Sequence, residues 1–171
     1  MEFTQEQLEH HEYPHIFIFD RDKSKIIEKI HGNDDYRLWK NSVYSFAIPI
    51  PKHREDMQEV CIEFYYTDED IKRRDVMGRR LYLSTEFNPR SGMHLSDDLT
   101  HRDINKFKGE AKIIADEVFD RDGNNVALSK NDFADSILEE REGFRGIDFS
   151  GFKPLFDRIM MIISDFESDK G

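Results

Sequence analysis

The chain has little cysteine, no long apolar run and no surplus of positive charge. Its single cysteine, Cys61, rules out an internal disulfide framework and any thiolate-rich metal site. A reducing, cytoplasmic setting is the expectation. No apolar stretch approaches the roughly 20 residues that span a bilayer, and the acidic start MEFTQEQLEHHEY does not read as a secretory signal. No membrane partner is expected. Lys and Arg number 25 against 36 Asp and Glu, a net charge of −11, which argues against gripping nucleic acid by bulk charge. It leaves room for an enzyme that concentrates carboxylates and lets a divalent cation supply the positive charge. There is no GxSxG elbow, no Gly-rich phosphate loop, no internal repeat and no low-complexity linker. What is present is a folding composition: 37% hydrophobic and 12% aromatic residues, with fourteen Phe in 171 residues. That is too apolar for a disordered chain and suits a single domain, residues 1–171.

Short-range signals lay out the elements. Thr4 to His11 reads as a helix with a Thr4 cap, stopped by Pro14. His15 to Phe19 (HIFIF) reads as a strand buried on both faces, ending in Asp20-Arg21-Asp22. A short helix through Ile26, Ile27 and Ile30 closes at Gly32, and Val43 to Ile50 forms a second strand. Thr67 offers a helix start, and residues 72–108 read as a charged, loop-rich insertion around a short strand at Arg80 to Leu83. Asp120-Arg-Asp-Gly-Asn124 reads as a turn. Ser129 or Asn131 caps a helix through Phe133 and Ile137, and 152–166 is a C-terminal amphipathic helix with Phe156, Ile159, Met160 and Ile163 on its apolar side.

Three features carry candidate chemistry. The first is IFIFD-R-D. Two carboxylates two residues apart leave an extended segment on the same face, so Asp20 and Asp22 can converge on one hard cation at a strand end. The ordinary alternative is an Asp-rich turn. The second is Glu63, an acid inside the apolar run CIEFYY that must pair, protonate or bind metal if buried. The alternative is a half-exposed strand whose Glu faces water. The third is Lys130, which heads a helix and is placed to meet a phosphate. The alternative is a solvent-facing lysine. His11 to His15 matches HExxH, but Pro14 breaks the helix that motif needs. The Asp120 segment resembles the start of a calcium loop yet lacks its sixth-position Gly and twelfth-position Glu.

In this order the three features resemble the second half of a TOPRIM domain, closest to the overcoming-lysogenization-defect (OLD) family of nucleases. The resemblance covers about residues 5 to 140. It implies an α/β fold, a Rossmann-like, mainly parallel sheet flanked by helices, incomplete at the N-terminus. It also implies that Asp20, Asp22 and Glu63 hold Mg²⁺ or Mn²⁺, that Lys130 assists catalysis, and that the substrate is nucleic acid, DNA before RNA. The family's upstream strand and catalytic Glu have no counterpart before Ile16. The expectation is therefore a fragment, a partner chain or ATPase domain supplying the first half, or a domain that has lost catalysis.

Two other classes compete with the nuclease. FIFDRDKS resembles the first motif of haloacid-dehalogenase-like phosphohydrolases, with Asp20 as nucleophile, although Arg21, Lys23 and Ser24 depart from it. A non-catalytic binding domain would use the basic cluster Lys72, Arg73, Arg74, Arg79 and Arg80, unless neighbouring acids balance it. The apolar face of the last helix either covers the sheet or docks on another subunit of a homo-oligomer.

Overall fold

The computed structural model describes residues 12–22, 24–32 and 34–169. The expected helix at Thr4 to His11 lies outside the described residues. Small sheets and helices alternate in a mixed α/β arrangement, and the chain divides into two compact units, Met1–Ile62 with Ser150–Gly171, and Glu63–Phe149. Among the described residues, no helix is long and apolar enough to cross a membrane.

The first unit is built on three strands. The β-branched and aromatic run His15–Phe19 (β1) pairs in parallel with Val43–Ala47 (β3), from His15 opposite Val43 to Phe19 opposite Ala47. Between them come a helix, Ser24–Ile30 (α1), and a two-residue strand, Arg37–Leu38 (β2), which pairs antiparallel with β3. The order is β1-β3-β2, so β3 is central and Tyr44, Ser45, Phe46 and Ala47 are buried. Helix α1 ends at Gly32, whose φ of +62° suits a residue without Cβ.

Each face of this sheet carries one helix. On the first face, Trp39 Nε1 donates to Ser45 Oγ at 2.8 Å, and Ser45 Oγ donates to the Ile30 carbonyl at 2.9 Å, which seats α1. On the other lies Lys153–Ser168 (α4), with Pro154 in its first turn. Arg158 pairs with Asp35, and the Tyr36 hydroxyl donates to Asp165. The Tyr36 ring meets Tyr44 edge-on. The bond to Asp165, helped by burial, pushes the Tyr36 hydroxyl up to about 12.

Two expectations about burial are corrected here. HIFIF is a strand, but it is not covered on both faces: Phe17, Ile18 and Phe19 are 55%, 43% and 41% exposed. The reason is position, because among the described residues β1 is the outermost strand. Helix α4 buries Leu155, Ile162 and Phe166 and leaves Phe156 and Met160 exposed. At about 100° per residue, Phe156, Met160 and Ile163 form a second stripe beside the buried one.

The second unit holds two short antiparallel ladders: Tyr82–Leu83 (β4) with Ile113–Ile114 (β6), and Thr100–His101 (β5) with Val118–Phe119 (β7). Its core gathers Tyr82, Phe87, Phe107, Ile114, Val118 and Ala127. Phe87 stacks on Phe107 at 5.1 Å and receives His94 and His101 edge-on. Residues 72–108 supply several of these core side chains. Thr67 caps Asp68–Ile71 (α2), and Ser129 caps Lys130–Leu138 (α3) by accepting from Asp132 N.

Candidate functional site

The acidic pair follows β1 directly. Arg21, between the two acids, exchanges backbone hydrogen bonds with Val60 at 2.9 Å in both directions, and its Nε donates to the Ile48 carbonyl at 3.1 Å. That fixes the strand's end against residues 60–62, and Asp20 Oδ1 accepts the Ile62 N–H at 3.1 Å. Asp20 and Asp22 are both exposed.

Glu63 and Lys130 belong to the second unit, and there they meet. The apolar run around Glu63, for which a half-exposed strand is the alternative, forms a 3₁₀ turn, Ile62–Tyr65, which carries Glu63 into the interior at 7% exposure. Lys130, the first residue of α3, donates from Nζ to Glu63 Oε2 at 2.8 Å. So the buried acid is paired, as its burial requires, and the lysine is not merely solvent-facing. Its side chain is 42% exposed, which leaves part of the ammonium accessible. Tyr66 beside this pair has its hydroxyl pushed up, first by burial and then by Glu63 and Asp70.

Mg²⁺ needs only one or two carboxylates, with water and phosphate oxygens completing its shell. Two exposed acids at a strand end fit that requirement. A three-carboxylate cage does not fit: among the described residues, no three His, Cys, Asp or Glu side chains gather closely enough to hold a metal ion.

Most of the basic cluster is paired with nearby acids. Arg73 pairs with Asp70, Arg79 with Asp75 and Arg80 with Glu86, at 2.9, 2.9 and 2.8 Å, and Lys72 lies 3.9 Å from Glu86. Arg74 donates to the Gly78 carbonyl. The calcium-like segment is a turn: Asp120 Oδ1 accepts from the backbone of Asp122 and Asn124 at 2.9 and 2.8 Å. Of the HExxH match, His15 sits in β1 and His11 lies outside the described residues.

The buried group Arg80, Glu86 and His94 escaped the sequence reading. Arg80 looks like one more cation in a charged stretch, and its forked bond to Glu86 depends on how β4 leads into the 3₁₀ turn Ser84–Glu86. Comparison with protein-family models, with curated proteins and with solved structures found no match.

Proposed function

We propose that this chain is the second half of a TOPRIM-type fold, a mainly parallel sheet flanked by helices, working as a divalent-cation-dependent phosphodiesterase module on nucleic acid, DNA before RNA. The observation that carries the reading is the end of β1: a parallel strand terminates in Asp20, whose carboxylate accepts the N–H of Ile62, the residue before Glu63. Support comes from the 2.8 Å pair between Glu63 and Lys130, two residues that the sequence marks independently.

In this reading Asp20 and Asp22 hold Mg²⁺ or Mn²⁺, with water and phosphate oxygens completing the shell. The cation supplies Lewis acidity toward a phosphate when bound. Lys130, oriented by Glu63, presents its half-exposed ammonium to a phosphate oxygen. The setting is the cytoplasm. A second reading has its own observation. Glu63 and Lys130 already neutralise each other, which suits a non-catalytic TOPRIM-like binding domain.

One experiment separates them. The purified chain is titrated with Mg²⁺ and Mn²⁺ by calorimetry and assayed for plasmid nicking beside Asp20→Ala. The nuclease reading expects binding and nicking, with affinity for the cation falling at least about 10–100-fold in the variant. Binding without nicking supports the non-catalytic domain. No binding at millimolar cation ends both uses of the acidic pair.

A further inference from the structure

We infer that the outer edge of β1 is a homodimer interface, across which two copies of this chain join their three-stranded sheets into one. This is independent of the chemistry proposed above. Three observations carry it.

The first is the hydrogen-bond direction along β1. His15 N donates to the Ser42 carbonyl, and Ile48 N donates to the Phe19 carbonyl, so the backbones of His15, Phe17 and Phe19 face β3. Those of Ile16 and Ile18 therefore point away from the sheet, and no strand pairs with them among the described residues. This edge is self-complementary. An antiparallel pairing about a two-fold axis through Phe17 sets Ile16 against the second copy's Ile18. Both N–H groups and both carbonyls of each Ile16–Ile18 pair are then used, and Phe17 meets its own copy as a non-hydrogen-bonded pair.

The second is what flanks the edge. Phe17, Phe19, Ile30, Trp39, Val43 and Ser45 line a groove of about 230 Å³ on the α1 side. On the other side, Arg158 and Asp165 mark the flank of α4 that is tied to Asp35 and Tyr36, next to β2. At about 100° per residue, the exposed Phe156 and Met160 fall on the opposite flank of α4. Apolar side chains thus border the open edge, and HIFIF contributes no carboxylate. A long apolar edge left open is a template for pairing.

The third is area. Phe17, Ile18, Phe19, Trp39, Phe156 and Met160 are 41–61% exposed. At about 200 Å² for a large side chain, their uncovered parts come to roughly 600 Å² per protomer. Doubled, and with the strand backbone added, this reaches the roughly 1,200 Å² at which specific interfaces begin.

The test is the mass of the full chain in solution by light scattering and sedimentation. A dimer of the 20.4 kDa chain is expected, holding or tightening as salt screens the −11 on each copy. Phe17→Lys sets two ammonium groups against each other at the two-fold and yields a monomer with unchanged circular dichroism. Val76→Lys, at another exposed apolar residue, leaves the dimer intact. In a Cys61→Ser background, Phe17→Cys forms an intermolecular disulfide under mild oxidation, because a non-hydrogen-bonded antiparallel pair brings its Cα atoms to about 4.5 Å. A monomer at 100 µM, as expected if a strand of another protein takes this edge, would falsify the inference. So would a dimer that survives Phe17→Lys, or one that salt dissociates.

Discussion

Arg80 is a buried charge, 5% exposed. Its guanidinium lies 3.8 Å from the Tyr82 ring centre and forks onto both oxygens of Glu86, which also accepts the Leu83 N–H. Burial raises the Glu86 pKa, but the Arg80 and Leu83 hydrogen bonds outweigh it and hold the carboxyl below its usual range. Glu86→Gln keeps the shape and leaves a buried cation unpaired, so it is expected to destabilise the fold by about 3 kcal/mol in urea unfolding. Lys130→Ala takes the partner from Glu63, itself 7% exposed, and should cost about 2 kcal/mol, less than a fully buried pair because the Lys130 side chain is 42% exposed and water screens it. Equal losses for the two variants would show that burial does not set the difference. This contrast is invisible in sequence: Arg80 and Lys130 are both cations beside apolar residues, and only the folded surroundings separate them.

At the scale of elements, two glycines in the second unit make a controlled comparison. Gly143 has φ +88°, and an added Cβ would stand 2.3 Å from the Arg74 carbonyl oxygen. Gly123 has φ +82° with nothing within 4 Å. Both substitutions to Ala incur the left-handed penalty of about 1 kcal/mol or more. Gly143→Ala adds a backbone clash and should lose at least about 3 kcal/mol in total, measured by chemical denaturation. A Gly143→Ala loss no larger than that of Gly123→Ala would mean that Arg74 moves aside freely. Caps and stops were legible because they act within a turn of chain: Thr67 and Ser129 each bond three residues ahead, and Pro154 sits in a first turn. The 3₁₀ turn at Ile62–Tyr65 was not, since a short run of Ile, Phe and Tyr satisfies strand and buried helical turn alike.

For the molecule as a whole, buried titrating groups shape stability against pH. His31 and His101 are held below the usual histidine value, chiefly by burial. The unfolded chain then takes up protons first as pH falls below about 6.5, so stability declines there. Glu86, depressed, adds a further loss as pH drops through and below the ordinary carboxylate range. Tyr36, Tyr44, Tyr66 and Tyr82 are all pushed up, so the unfolded chain ionises first above 10 and stability falls again. Thermal melts are expected to plateau between about pH 7 and 9 and to fall on both sides. His31→Phe, which removes one of these two buried imidazoles, should shrink the loss between pH 7 and 5. A melting temperature unchanged over that interval would contradict the burial of both histidines.

Composition, helix caps, chain-breaking prolines and the apolar runs were enough to locate β1, β3, α3 and α4, because each signal is exchanged between residues a few positions apart. The same signals singled out Asp20, Asp22, Glu63 and Lys130. Contacts between distant segments decided the rest. Glu63 reaches Lys130 across 67 positions, most of the basic cluster finds nearby acids, and β1 stands at the margin of its sheet with Phe17 uncovered. Burial and pairing belong to neighbours in space, and those are chosen only when the chain closes on itself.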